Sequence, residues 1–152
     1  MNYWTQSEKN IFVAAHRGWC EKYPENTMLA FRKALEVGVD QIETDVRITA
    51  DGELVCIHDD SVDRTTNGSG KVSGFTLAEL RGLDAGIRKG EEFAGERIPT
   101  FIEFMELVKD HPKITLDIEL KERPGSTSDE VAFSVCDKIG RASCRERVLF
   151  LV

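Results

Sequence analysis

Glu43 and Asp45 stand one residue apart in the stretch QIETDVRITADGELVCIHDD, residues 41–60. On an extended strand that spacing puts both carboxylates on one face, with Ile42, Thr44 and Val46 on the other. Thr49-Ala50-Asp51-Gly52 follows, and Asp-Gly is a strong hairpin signal. Leu54 to Ile57 then reads as a returning strand that ends in His58. A parallel crossover needs about a dozen residues or more, so this short gap predicts an antiparallel pair. The hairpin brings His58 back to roughly the level where the carboxylates began. Two acids and an imidazole thus fall in one small region. The acids are hard oxygen donors for a cation; the imidazole exchanges protons near neutral pH.

The rest of the chain must position them. Ile11 to Ala15 (IFVAA) reads as a strand buried on both faces, and it stops at His16-Arg17-Gly18. In Pro24-Glu25-Asn26-Thr27, either Asn26 or Thr27 caps a helix running to about Val37. Met28, Phe31, Ala34 and Leu35 form its apolar stripe, and Gly38 stops it. Strand, helix and the strand at Gln41 make a βαβ unit, hence a parallel pair. Arg64 to Gly74 is a loop rich in Gly, Ser and Thr, and Ala85 to Arg97 reads as charged and irregular. Thr76-Leu77-Ala78-Glu79 is a capping box that opens a short helix ending by Gly82. Thr100-Phe101-Ile102-Glu103 is another; its helix shows Phe101, Met105 and Val108 on one side and ends before Pro112. His111, at that helix end, is read as a surface residue with no role.

Ile114 to Lys121 alternates. Ile114, Leu116, Ile118 and Leu120 share one face; Thr115, Asp117, Glu119 and Lys121 share the other. On an open antiparallel sheet the polar face would meet water. In a parallel barrel it points inward, and acids near the strand's C-terminal end sit where barrel active sites are built. Ser126 to Asp129 is expected to start another helix, with Val131, Val135 and Cys136 on one side.

A chain of 152 residues can bury a real core. Its net charge of −7 argues against a general nucleic-acid or anionic-membrane surface. No apolar run approaches the roughly 20 residues of a membrane span. The N-terminus, MNYWTQSEKN, lacks the apolar region of a secretory signal. Cys20, Cys56, Cys136 and Cys144 lack metal-ligand spacing and read as reduced thiols of a cytoplasmic protein.

Six motifs now stand in register: His16-Arg17-Gly18, Glu25-Asn26-Thr27, Glu43-x-Asp45, Asp51-Gly52-x-Leu54-Val55 with His58-Asp59, Arg64-Thr65-Thr66-x-Gly68, and Glu119-x-Lys121. Their order and spacing, from about Phe12 to Pro124, resembles the glycerophosphodiester phosphodiesterase family. The resemblance implies an α/β fold: a TIM barrel of the phospholipase-C-like phosphodiesterase type, with a small insertion after the second strand, here about residues 47–110. It implies Glu43, Asp45 and Glu119 as ligands of a divalent cation, Ca2+ or Mg2+. It implies His16 and His58 as an acid–base pair, Arg17 as a phosphate contact, and Lys121 as a phosphate or carboxylate partner. The implied reaction cuts a small glycerophosphodiester, such as glycerophosphocholine, into glycerol 3-phosphate and an alcohol. The chemistry agrees: three carboxylates and no thiolate suit a hard cation rather than zinc. One imidazole can take a proton from the nucleophile while the other gives one to the leaving oxygen. The residues leave open which does which; the reading leans to His16 as acid and His58 as base. A phospholipase-type barrel enzyme and a non-catalytic metal-binding module are the competing readings. The HRG, ENT and RTTxG set favours the glycerophosphodiesterase, and both histidines argue against a non-catalytic module.

A complete TIM barrel takes about 250 residues. The sequence therefore predicts a truncated barrel, with its first three strands and the insertion. Residues 1–138 are read as the family part. Ile139 to Val148 (IGRASCRERV) resembles translated sequencing-adapter DNA, so residues 139–152 are expected to be a non-native tail.

Overall fold

The computed structural model describes residues 11–121, Cys136, and the segment 148–151. One sheet organises them: β1 (Ala14–Ala15), β2 (Gln41–Ile48), β3 (Leu54–Cys56), β4 (Thr115–Leu120) and β5 (Val148–Leu151). Its order is β1-β2-β4-β5, with β3 added to β2. The pairings β1–β2, β2–β4 and β4–β5 are parallel, and β2–β3 is antiparallel. β2 and β3 are thus the antiparallel pair that the short gap between them predicts. Gly52 takes φ +83 in its turn, a conformation glycine adopts without a Cβ penalty.

Two expectations about the strands differ from the observed sheet. The run Ile11 to Ala15 is not a strand buried on both faces: β1 is two residues long, and Ile11 and Val13 are 73% and 47% exposed. Among the described residues β1 pairs with β2 alone, so only one of its edges is held. Among the described residues a fourth parallel strand joins the three expected, because Val148–Leu151, within the segment expected to be a non-native tail, pairs with the far edge of β4.

The sheet is covered by α1 (Met28–Val37) and α3 (Phe101–Val108). Thr27 is the cap of α1, its Oγ1 accepting from the Ala30 N–H at 3.2 Å, and Gly38 closes the helix in the left-handed region at φ +82. Thr100 and Glu103 form the full reciprocal capping box of α3. Phe31 and Phe104 are fully buried, with ring centroids 4.7 Å apart, and join Ile42, Val46, Met105, Leu116 and Ile118 in the main core. Ala30 is fully buried too, although it lies outside the expected stripe. A Cβ on Gly18 would stand 2.8 Å from the Ala30 carbonyl carbon, so the loop after β1 packs onto α1 only because residue 18 has no side chain.

The segment between β2 and α3 has a core of its own: Val55, Ile57, Val62, Val72, Leu80, Ala85 and Ile98. α2 (Leu77–Leu80) lies there, opened by the Thr76–Glu79 capping box. The stretch Ala85 to Arg97, irregular by sequence, is folded tightly around Asp84. That side chain accepts from the N–H groups of Gly86, Ile87 and Gly95 at 2.9, 3.0 and 2.7 Å. The helix expected after Ser126 lies outside the described residues, apart from helical Cys136. Among the described residues no helix is long and apolar enough to cross a membrane.

Candidate active site

The parallel register places Glu43 opposite Asp117 and Asp45 opposite Glu119. All four share the sheet face away from the helices, and Glu43, Asp45 and Glu119 offer oxygens within 4.8 Å of one another. Ligands of one Ca2+ or Mg2+ can lie no farther apart than twice the metal–oxygen distance, about 4–5 Å. The spacing therefore fits a shared hard cation. The Asp45 side chain is fully buried. Its Oδ2 accepts from Asn26 Nδ2 at 2.9 Å, while its buried Oδ1 accepts no hydrogen bond and faces the Lys121 ammonium at 3.1 Å. Lys121 also pairs with Glu119 Oε1. Burial, and then the neighbouring Asp45 carboxylate, push the Glu43 carboxyl up to about 7. A divalent ion bound here would favour the ionised form of the crowded Glu43 carboxyl.

β1 delivers the next residues. It ends at Ala15, so His16 and Arg17 emerge at the C-terminal rim, beside the acids of β2. His16 Nε2 is 3.8 Å from Glu43 Oε2, with a 62% exposed side chain. Arg17 takes φ +56, which turns its backbone N–H onto Glu43 Oε2 at 2.8 Å. Its guanidinium donates from Nη1 to Glu25 Oε1 at 2.9 Å, and its Nε lies 3.4 Å from Asp45 Oδ2.

His58 arrives from β3. Ile57 donates its N–H to the Asp45 carbonyl at 3.1 Å, so the hairpin does return His58 to the level of the acids. Arg47 Nε holds the His58 carbonyl at 2.9 Å, and His58 Nδ1 lies 2.7 Å from Asp59 Oδ1. A carboxylate facing Nδ1 favours the tautomer with the proton there and leaves Nε2 free to accept one. His58 lines a small cavity with Glu25 and Asn26, and Asn26 is the residue bonded to Asp45. The structure thus brings Glu43, Asp45, Glu119, Lys121, His16 and Arg17 into one cluster, with His58 on the adjoining wall.

The sequence gives Asn26 no role beyond a candidate helix cap, and Asp59, Glu25 and Arg64 none, although each stands in a quoted motif. Asn26 is buried at φ +52, donating to Asp45 and accepting from Thr44 Oγ1 at 2.9 Å. Asparagine is among the few side chains that tolerate the left-handed region, a signal that a turn just before a helix could have given. His111 follows the end of α3 and is not part of the Glu43, Asp45 and Glu119 group.

The sequence model of the glycerophosphoryl diester phosphodiesterase family matches residues 16–145. A glycerophosphodiester phosphodiesterase of Caldanaerobacter subterraneus subsp. tengcongensis is 57% identical over 109 residues, 72% of this chain and 44% of that protein. One of Bacillus altitudinis is 46% identical over the same shares. The chain spans about half the length of the curated relatives it matches. Among solved structures, an Oleispira antarctica phosphodiesterase in complex with the product sn-glycerol-3-phosphate superposes with TM-score 0.85 at 35% identity. That match covers 92% of this chain and 56% of the other. A glycerophosphodiester phosphodiesterase from Agrobacterium tumefaciens superposes with TM-score 0.82 at 33% identity, covering 92% and 57%.

Proposed function

The chain belongs to the glycerophosphoryl diester phosphodiesterase family, and from that premise we propose that it supplies the catalytic half of a metal-dependent glycerophosphodiesterase. The fold is the α/β fold of a TIM barrel, of which β1, β2, β4 and β5 are four parallel strands. Activity belongs to the barrel as a whole, since the described strands make only part of an eight-stranded wall. The observation that carries the reading is the convergence of Glu43, Asp45 and Glu119 beside His16 and Arg17 at the C-terminal rim. The product held by the Oleispira relative supports glycerol 3-phosphate as the phosphate product here.

In this reading the substrate is a small glycerophosphodiester such as glycerophosphocholine. Water adds to phosphorus, the bond from phosphorus to the alcohol oxygen breaks, and glycerol 3-phosphate and the alcohol leave. A Ca2+ or Mg2+ ion on Glu43, Asp45 and Glu119 would offset phosphate charge when bound. Arg17 and Lys121 place cationic groups at the same rim, where they attract and orient the anion. Exposed His16 gives a proton to the leaving oxygen, and His58, with Nδ1 held by Asp59, accepts one at Nε2 from the nucleophile. The free thiols Cys20 and Cys56 support a cytoplasmic setting.

The test is release of glycerol 3-phosphate from glycerophosphocholine and glycerophosphoethanolamine by the full-length protein. Histidine removal should cost about 10²–10⁴-fold in turnover, which added metal does not repair. The reading fails if His16→Ala and His58→Ala both keep near-full turnover.

A further inference from the structure

Arg64 lies in the loop after β3, and Glu25 lies in the loop between β1 and α1, 39 residues earlier. The Arg64 guanidinium grips two carboxylates at once. It donates from Nε to Asp59 Oδ2 at 2.7 Å and from Nη2 to Asp59 Oδ1 at 3.0 Å. It donates from Nη1 to Glu25 Oε2 at 2.7 Å and from Nη2 to Glu25 Oε1 at 2.8 Å. Each carboxylate has a second partner. Asp59 Oδ1 faces His58 Nδ1 at 2.7 Å, and Glu25 Oε1 accepts from Arg17 Nη1 at 2.9 Å. The result is an unbroken path from His58 through Asp59, Arg64 and Glu25 to Arg17, and from Arg17 on to Asp45.

We propose that Arg64 is a positioning residue that fixes the spacing between His58 and Arg17, and so between proton transfer and phosphate binding. The inference rests on the proposed phosphodiesterase reading. Geometry supports it, because His58 and Arg17 come from separate loops and this guanidinium bonds the orienting partner of each. Charge supports it as well. The Asp59 carboxyl is held far below its ordinary value by Arg64 and then by His58. Burial pushes the Glu25 carboxyl up, but the Arg64 and Arg17 hydrogen bonds outweigh that and hold it below its ordinary value. Both partners therefore stay ionised, the state a paired bidentate fork needs. Holding the insertion together does not require Arg64: its side chain is 49% exposed, while the insertion has its own core from Val55 to Ile98. What the clasp adds is aim. Lysine cannot replace it, since a single ammonium lacks the planar fork that spans two carboxylates.

The experiment has two arms. In the 152-residue chain, ring-nitrogen NMR reads the His58 tautomer, and guanidinium NMR reads Arg17. Arg64→Ala should release the Nδ1 proton of His58 into exchange and shift the Arg17 resonance, leaving the insertion's amide spectrum in place. In the full-length protein, Arg64→Ala and Arg64→Lys should each lower kcat about 10–100-fold, with the half-activating cation concentration unchanged. The double variant Arg64→Ala/Asp59→Asn should be no worse than the poorer single variant, because both act through one path. The proposal is overturned if Arg64→Ala leaves the His58 ring resonances unmoved, if its kcat stays within about twofold of wild type, or if Arg64→Lys restores turnover. Absence of hydrolysis in the wild type would defeat the functional reading instead, and the ring resonances would still decide the clasp.

Discussion

Asn26 carries two demands that few side chains meet together. Its backbone sits at φ +52, and its amide joins Asp45 to Thr44 inside the protein. Asn26→Ala strains the backbone and removes two buried hydrogen bonds, to Asp45 and from Thr44, a loss of about 2–4 kcal/mol. Asn26→Gly keeps the conformation and loses only the hydrogen bonds, so its loss should be smaller. Urea unfolding of both variants checks this ranking, and equal losses would contradict it. Glu43 makes a pH prediction. Its carboxyl is raised from 4.5 to about 7 in the folded chain. A raised carboxyl contributes stability that is fully present below about pH 4.5 and lost as pH rises through about 7. Glu43→Gln should therefore stabilise the cation-free chain at pH 8 and have little effect at pH 4, read as the difference in melting temperature. Asp59 runs the other way: its depressed carboxyl contributes stability above its ordinary value of 3.8 that is lost as pH falls below it. Replacing Asp59 by Asn should flatten that acid-side loss.

Elements governed by local rules were legible in the sequence. The β2–β3 hairpin follows from Asp51-Gly52, and α2 and α3 begin at the two capping boxes that their sequences spell out. The alternation of Ile114 to Lys121 gives both faces of β4. Thr100→Ala should cost about 1 kcal/mol, because it removes the hydroxyl that accepts from the Glu103 N–H and donates to the Glu103 carboxylate. Gly18→Ala should cost more, since the new Cβ meets the α1 backbone at a residue held at φ +74. Chemical denaturation orders the two, and a harmless Gly18→Ala would refute the close approach. What sequence could not give depends on partners distant in the chain. The strand run Ile11 to Ala15 shrinks to β1, which among the described residues is held on one edge by β2 alone while Ile11 and Val13 stay exposed. The second core gathers Val55, Leu80 and Ile98 from three separated segments, none of them apolar enough alone to announce it. At the site, residue types named the metal and proton-transfer candidates. The Glu25–Arg64 link did not emerge, because no periodicity connects residues 39 apart.

The whole described sheet has open ends: β1 and β5 each pair on one side only among the described residues. Unpaired edges and the exposed Ile11 and Val13 favour association with further strands. The 152-residue chain should accordingly associate as its concentration rises, and Val13→Lys should weaken that association in sedimentation. A strictly monomeric wild type would contradict it. The proposed function makes phosphodiester cleavage depend on a cation held by the rim acids of a parallel barrel. The most direct measurement is glycerol 3-phosphate release by the full-length protein across a Mg2+ and Ca2+ titration, with and without chelator, for wild type and for Glu43→Gln, Asp45→Asn and Glu119→Gln. Chelator should abolish wild-type turnover, added cation should restore it, and each carboxylate variant should need more cation for half its maximal rate. Full wild-type turnover in chelator, or carboxylate variants with an unchanged cation requirement, would contradict the proposed function.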